Sequence, residues 1–225
     1  MCGRYAIYGP VSRKNRDTIE FLEREIEFGP TYNAAPTRKL PVYRIHSERG
    51  RELTLLRWGL VPFWAKDPSI GARMINARAE GVAEKPAFRA AFRRRRCLVP
   101  MSGFYEWKKA GDRKVPHFVQ LLNSPVFAAA GLYEYWPGKD GAEPIESYII
   151  ITTGANELMR TIHDRMPVIL PERDYDAWLD PKNEKAETLE KLLKPYPAEE
   201  MRAYPIGLRV NNVRHDGPEL IEPQR

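Results

Sequence analysis

The sequence predicts an α+β fold, a single domain with a mainly antiparallel, barrel-like β core surrounded by helices. Short segments rich in β-branched and aromatic residues outnumber the helical patterns, and the helices interrupt them irregularly. The 20 prolines are scattered along the chain, so they separate many short elements and mark no linker. Because no internal repeat divides the sequence either, we expect residues 1–225 to form one domain.

Seven segments have the alternating or continuous apolar pattern of β-strands. The turn Ala110-Gly111-Asp112 predicts that two of them form a hairpin. The predicted strands are Leu40–Ile45, Leu53–Trp58, Cys97–Pro100, Phe104–Lys108, Pro116–Leu121, Val126–Leu132 and Tyr148–Thr153.

Helical periodicity is clearest at Val11–Glu27, where Ile19, Leu22 and Ile26 fall on one face. Four later segments have weaker helical patterns and are predicted as shorter helices. They are Lys85–Arg96, Ala155–His163, Glu172–Leu179 and Lys185–Leu193.

Composition limits the classes of partner and site. Lys and Arg total 36 against 30 Asp and Glu, a formal charge of +6, which favours a polyanionic partner. Two cysteines are too few for a disulfide framework and badly spaced for a zinc site, so we expect no metal and no cofactor. The N-terminus lacks the apolar run of a signal peptide and no stretch is long enough to span a bilayer. We expect a cytoplasmic protein with no membrane partner.

Cys2 follows the initiator methionine, and methionine removal favours a small second residue. The product is a 1,2-aminothiol, whose amine titrates near ~8 and whose thiol titrates near ~8.5. An aldehyde condenses with such an amine to an imine, and the thiol then closes a five-membered thiazolidine ring. The alternative is a small buried cysteine without chemistry.

The surroundings of Cys2 favour the first interpretation. Gly3 removes side-chain bulk beside the nucleophile, and Arg4 could contact a phosphate. Further along, Asn76 could hold a sugar oxygen or orient the N-terminal amine, with Arg73 and Arg78 as phosphate contacts. The alternative for Asn76 is an ordinary turn or capping residue.

Two titratable residues are further candidates. Glu106 shares one face of a predicted strand with Phe104 and Lys108, so it is either partly desolvated with a raised pKa or an ordinary surface charge. His163 is the only histidine flanked by both an acid and an arginine, Asp164 and Arg165. A histidine at a helix end is otherwise a favourable partner of the helix dipole.

Aromatic residues before Asn76 could stack on unpaired bases, and Trp64 is the candidate that we select. The alternative is that each aromatic belongs to the core. The run Arg93–Arg96 is either a solvated face or an edge that contacts phosphates.

The order and spacing of these motifs resemble the SOS response-associated peptidase (SRAP) family of abasic-site processing proteins over almost the whole chain. The matching segments are MCGRY at the start, Tyr32–Thr37, Trp58–Pro62, Ile75–Glu80, Arg96–Pro100, Gly103–Trp107, Thr152–Asn156, Ile162–Pro167 and Val210–Asn212. Some family members have two adjacent tryptophans where this chain has Phe63-Trp64.

The resemblance implies a β-barrel-like core with helices around it, and it implies a role for each matching residue. Cys2 resembles the nucleophile that crosslinks to the lesion after loss of Met1. Asn76 resembles the residue that positions the abasic sugar and the amine. Glu106 resembles the proton-transfer residue, and His163 the acid that helps to open the deoxyribose ring.

The resemblance also implies the partner. This is single-stranded DNA containing abasic sites, including single-strand/duplex junctions, and the protein is expected as a monomer, nucleoid-associated when bound. Arg4, Arg78 and Arg165 match the family's phosphate contacts. Whether Met1 is removed autocatalytically, and whether a lyase reaction cleaves the strand, stays open.

Three other functions fit parts of the sequence. An N-terminal-nucleophile hydrolase of the glutamine amidotransferase kind also begins Met-Cys-Gly. A cysteine peptidase would pair Cys2 with His163. A non-catalytic DNA-binding module would give salt-sensitive binding without a covalent product.

Overall fold

Within residues 2–8, 28–139 and 141–224, which the computed structural model describes, the chain forms two β-sheets. The strands are β1 Tyr5–Ile7, β2 Thr31–Ala34, β3 Lys39–His46, β4 Gly50–Trp58, β5 Asn76–Arg78, β6 Arg96–Met101, β7 Gly103–Ala110, β8 Arg113–Leu121, β9 Phe127–Trp136, β10 Ile145–Gly154, β11 Arg165–Pro167, β12 Ile169–Leu170 and β13 Met201–Pro205. All seven predicted strands are present.

The larger sheet closes on itself. Strands β10, β4, β3, β6 and β9 pair in that order, and β9 pairs again with β10. All of these pairings are antiparallel except that between β4 and β10. Closure leaves no free edge in this ring, and the predicted barrel-like core is confirmed.

The second sheet has five strands in the order β13-β8-β7-β1-β2 and is entirely antiparallel. Its central hairpin, β7–β8, turns at Gly111, whose φ of 61° suits a residue without a side chain. The hairpin predicted at this turn is confirmed.

The helices are short. They are α1 Arg89–Arg94, α2 Glu157–Arg160, α3 Tyr175–Leu179 and α4 Ala186–Glu190, with 3-10 helices at Pro68–Arg73, Glu172–Asp174, Ala198–Glu200, Leu208–Asn211 and Pro218–Ile221. Each of the four weaker predicted helices contains one of these α-helices. The predicted helix Val11–Glu27 lies outside the described residues.

The predicted boundary between α1 and β6 was wrong. Arg96 was placed at the end of a helix, but α1 ends at Arg94 and β6 begins at Arg96. The reason is tertiary, because the fully buried Arg96 side chain donates hydrogen bonds to main-chain carbonyls of α1, α3 and the segment after α3.

Three buried clusters hold the layers together. The first contains residues of both sheets, including Cys2, Trp58 and Tyr148. The second packs the outer face of the ring against α1, α3 and α4. The third covers the other face of the five-stranded sheet with the C-terminal residues from Ile206 to Leu220. No helix of the described part is long and apolar enough to cross a membrane.

Candidate active site

The N-terminal residues enter the molecule beside β1, and Cys2 is completely buried. Its sulfur lies 3.9 Å from the carbonyl oxygen of Arg4. Burial raises the pKa of the Cys2 thiol, and the negative charge of the neighbouring Glu106 raises it further. The thiol is therefore protonated at neutral pH, and it needs a base before it can attack.

Asn76 fixes the main chain of Cys2. Its Nδ2 donates a hydrogen bond of 2.8 Å to the carbonyl oxygen of Cys2. Its Oδ1 is buried and accepts no hydrogen bond from the described residues. A buried acceptor left in this state costs about 1–3 kcal/mol, which is typical of an atom reserved for a ligand or a reacting group.

The position of Asn76 follows from β10. Strand β5 pairs in parallel with β10, and Asn76 lies opposite Ile150. On the other side of β10, β11 pairs antiparallel with Arg165 opposite Gly154. The carboxyl end of β10 therefore carries the Asn76 strand on one side and the segment just after His163 on the other.

Glu106 lies on β7, next to β1. Of its two predicted environments the buried one is correct, because Glu106 is 2% exposed while Lys108 on the same face is at the surface. Burial raises the pKa of the Glu106 carboxyl, and the nearby His163 acts in the opposite direction. The raised pKa makes this carboxyl a better proton acceptor than an exposed glutamate.

His163 follows α2 and faces the site at partial exposure. Its Nδ1 lies 3.0 Å from the main-chain nitrogen of Arg165 and 2.9 Å from a carboxylate oxygen of Asp164. The first contact suits a neutral ring with its proton on Nε2, and the second suits a ring protonated on Nδ1. Nδ1 therefore accepts from Arg165 in one tautomer and donates to Asp164 in the other.

These contacts bring Cys2, Asn76, Glu106 and His163 together from four separate parts of the chain. Residues of these types can supply a nucleophile, an amide that orients it and two groups that transfer protons. Within the described residues, no cluster of His, Cys, Asp and Glu could hold a metal ion.

Comparison with known proteins identifies the family. A family model described as SOS response associated peptidase (SRAP) matches residues 1–213. The chain belongs to the SRAP family. The predicted resemblance is confirmed.

Several curated relatives have similar sequences. "Abasic site processing protein YoqW" of Bacillus subtilis (strain 168) is 44% identical over 227 aligned residues, which cover 99% of each chain. "Abasic site processing protein YedK" of Escherichia coli (strain K12) is 32% identical over 99% of this chain and all of that relative. "Abasic site processing protein HMCES" of Gallus gallus is 33% identical over 99% of this chain and 78% of its own length.

Solved structures agree with the fold. A crystal structure of a protein from Bacteroides thetaiotaomicron superposes with a TM-score of 0.77 at 33% identity, covering 86% of this chain and 85% of that one. The predicted α+β fold with a barrel-like core is confirmed.

The arginines predicted as phosphate contacts of this SRAP chain fall into two groups. Arg73 and Arg78 are exposed, and their side chains form no hydrogen bond or ion pair with other described residues. Arg165 is largely covered and donates two hydrogen bonds of 2.8 Å to the carboxylate of Glu80. Arg4 is partly buried.

Arg4 also belongs to a hub that sequence reasoning missed. Its Nη1 lies 2.6 Å from Oδ1 of Asn33 and 2.8 Å from the carbonyl oxygen of Val210. The Asn33 amide nitrogen in turn donates to the carbonyls of Asn212 and His215. Arg4 therefore ties the strand that follows Cys2 to the C-terminal segment. The signal in the sequence was Asn33 within the Tyr32–Thr37 motif.

The predicted stacking residue Trp64 is 52% exposed, and the adjacent Phe63 is 55% exposed. Trp58, six residues earlier than Trp64, is fully buried and donates a hydrogen bond to the carbonyl of Ile75, just before Asn76. Most of the four arginines Arg93–Arg96 have partners within the protein. Arg94 forms an ion pair with Glu184, and Arg95 forms one with Glu134.

Proposed function

We propose that this protein captures abasic sites in single-stranded DNA covalently, through Cys2 made N-terminal by removal of Met1. The proposal rests on the two neighbours of Cys2, Asn76 and Glu106. The amide of Asn76 holds the main chain of Cys2 at 2.8 Å, and the buried carboxyl of Glu106 lies close enough to influence the Cys2 thiol. The names of the curated relatives, all abasic site processing proteins, support the same substrate.

The reaction begins with the cyclic hemiacetal of the abasic deoxyribose. His163 donates a proton to the ring oxygen as the C1′–O4′ bond breaks, and the C1′ hydroxyl proton passes to solvent, which leaves the open aldehyde. The free amine of Cys2 adds to C1′ to form a carbinolamine, and loss of water gives an imine. Glu106 transfers two protons in turn from the amine nitrogen to the former carbonyl oxygen: the first gives the carbinolamine hydroxyl, and the second lets that hydroxyl leave as water.

The thiol then closes the ring. Glu106 accepts the proton of the Cys2 thiol as sulfur bonds to C1′, and the proton passes to the nitrogen as the C=N bond becomes single. The product is a thiazolidine, with no atom lost in this step. Because the thiol pKa is raised, this step depends on the carboxylate beside it.

Asn76 holds the amine and the sugar in this reaction. Its Oδ1, which has no partner among the described residues, would accept a hydrogen bond from the freed amine or from a sugar hydroxyl. An attacking group held in place in this way reacts faster because the entropy of orientation is already lost.

DNA binding in this proposal uses the exposed cations Arg73 and Arg78, with Arg4 and Arg165 as further phosphate contacts and Trp64 as a stacking platform. Arg165 would exchange part of its pairing with Glu80 for a phosphate. The protein would act as a monomer, at single strands and at single-strand/duplex junctions.

The SRAP domain is proposed to extend beyond the matched residues, through the C-terminal segment. Asp216 accepts hydrogen bonds from the main-chain nitrogens of Tyr32 and Asn33, and Leu220 is buried. These contacts support including the residues after 213 in the domain.

A denaturing gel tests the proposal with a single-stranded oligonucleotide carrying one abasic site and an intact oligonucleotide as control. A slower band that survives denaturation, requires the abasic site and is lost in Cys2→Ala is the expected result. If the wild-type protein gives no such band although mass spectrometry shows that Met1 is absent, the proposal is wrong, and a hydrolase or a non-covalent binding module explains the site better.

A further inference from the structure

The β7–β8 hairpin extends from the candidate site into solvent as a strongly basic ribbon. Strand β1 pairs with β7 at Gly103 and Phe104, and β13 pairs with β8 only as far as His117. No strand of the described part pairs with the hairpin between Lys108 and Val115. This end of the hairpin is therefore open to solvent on both edges.

Four cations lie at this end within seven residues, and all four are exposed. None forms an ion pair or a hydrogen bond through its side chain with another described residue. They are Lys108, Lys109, Arg113 and Lys114. Lys109 lies directly opposite Lys114 in the register, and like charges placed in this way are destabilising.

The register divides the four cations between two faces. Side chains two residues apart on a strand share a face and lie about 7 Å apart. Lys108 therefore shares the face of Glu106, as does Arg113, which is paired with Ala110. Lys109 and Lys114 share the opposite face. A basic strip on one face thus begins next to the buried carboxyl of the site.

We propose that the hairpin face carrying Lys108 and Arg113 binds the phosphodiester backbone of the DNA strand that leaves the site. This inference rests on the proposed function and extends the DNA-binding surface beyond the residues named for it. The strip has the correct charge for a polyanion, it has no acidic partner in the described part of the chain, and it starts on the strand that supplies Glu106.

The hairpin supplies its own matched control. The double variants K108A/R113A and K109A/K114A each remove one positive charge from β7 and one from β8. The first removes them from the face of Glu106, and the second removes them from the opposite face. Both sets of side chains are exposed, so neither double variant is expected to unfold. Thermal unfolding of each variant verifies this.

The binding experiment uses a fluorescent single-stranded oligonucleotide with a tetrahydrofuran abasic analogue, which has no aldehyde and cannot crosslink. Affinity is measured by anisotropy from 0.05 to 0.5 M salt. Loss of two phosphate contacts in K108A/R113A is expected to make the slope of log K against log salt less steep by about 1.4. Over the tenfold range of salt, the affinity of wild type then falls about 25-fold more than that of the variant, and the variant binds more weakly at low salt. K109A/K114A is expected to change the slope much less.

Equal losses in both double variants, or no loss in either, would overturn the proposal. Equal losses would indicate a general charge effect. No loss would indicate that these cations only protect the edges of the ribbon from pairing with other chains. The crosslinking gel separates this inference from the proposed function: an adduct without a face-specific loss contradicts the hairpin proposal alone. A face-specific loss without any adduct contradicts the covalent function alone.

Discussion

Glu106 is a residue at which chemistry and stability oppose each other. Burial raises the pKa of its carboxyl, so the folded protein binds the proton more tightly than the unfolded chain does. Its favourable contribution to stability is complete below the pKa of the unfolded chain and is lost as the pH rises through the higher folded value. The ionised form of this buried carboxyl is therefore less favourable for folding than the protonated form.

We predict that Glu106→Gln slows crosslinking by about 10²–10⁴-fold, the usual contribution of a general acid–base group. The same substitution is expected to make the protein more stable than wild type at pH 7.5, and this gain disappears toward pH 4. Single-turnover gels give the rate, and urea unfolding at several pH values gives the stability. An equal stability difference at pH 4 and pH 7.5 would contradict the assigned environment.

Thr37 is the one non-glycine residue with positive φ in the described part of the chain, at 74°. This conformation is unfavourable for a β-branched residue and stores about 1–3 kcal/mol of strain. We predict that Thr37→Gly raises the free energy of unfolding by about 1 kcal/mol, after the greater entropy of glycine in the unfolded chain is subtracted. Thr37→Ala keeps the Cβ and is expected to change stability by less than about 0.5 kcal/mol.

Urea unfolding of the two Thr37 variants in parallel measures this difference. Destabilisation by glycine would show that the Thr37 side chain contributes more than its backbone conformation costs.

At the scale of elements, Arg96 joins α1, β6 and α3. Its guanidinium is buried and donates to the carbonyls of Phe92, Arg93, Trp178, Asp180 and Asn183. Burial lowers the pKa of this arginine to about 10, which still leaves it charged at neutral pH. The helices are too short to be stable alone, so this contact positions them on the ring.

We predict that Arg96→Met destabilises the protein by about 3 kcal/mol or more, because several buried carbonyls lose their donor. The matched control is Arg94→Met in the same arginine run, whose exposed pair with Glu184 contributes about 0–1 kcal/mol. Chemical denaturation distinguishes the two. A similar small loss for both would show that Arg96 is not the anchor of these helices.

At the scale of the whole molecule, Asp216 joins the C-terminal segment to β2 and the residues that follow it. Its carboxylate accepts hydrogen bonds from Thr31, Tyr32, Asn33 and Arg38. Burial would raise the pKa of this carboxyl, but the hydrogen bonds outweigh burial and lower it. Its contribution to stability is therefore present above the pKa of the unfolded chain and is lost as the pH falls through the lower folded value.

We predict that Asp216→Ala lowers stability by about 1–3 kcal/mol at pH 7, and that the difference from wild type narrows as the pH falls below about 4. Asp176→Ala, which removes an exposed pair with Arg51, is the control and is expected to have little effect. Thermal unfolding across the pH range measures both. A difference that is constant down to acidic pH would contradict the role of the carboxylate.

The longer strands were predictable because alternation extends over enough residues to be seen, as in β4 and β10. Strands of two to five residues, such as β5 and β11, have too few residues to show a period, and they form because neighbouring strands offer hydrogen-bonding partners. Arg96 looked like part of a charged surface because only tertiary structure shows that carbonyls surround it.

Some features of the candidate site could likewise be predicted from the sequence, and others could not. Cys2 became a candidate through the chemistry of an N-terminal aminothiol. Asn76, Glu106 and His163 were candidates with equally plausible alternatives, and only the resemblance implied a specific role for each. Sequence could not decide between the two environments of Glu106, since burial of one strand face depends on what packs against it. The hub around Asn33 joins residues about 180 positions apart, and no local pattern reveals such contacts.

The most direct test of covalent capture by Cys2 compares wild type, Cys2→Ser and Cys2→Ala on single-stranded abasic DNA, with and without borohydride reduction. Wild type is expected to give an adduct that survives denaturation without reduction. Cys2→Ser, which keeps the amine but cannot form the thiazolidine, is expected to give an adduct only after reduction of its imine. A wild-type adduct that needs reduction, or an unreduced adduct of equal yield in Cys2→Ala, would contradict the use of both groups of Cys2.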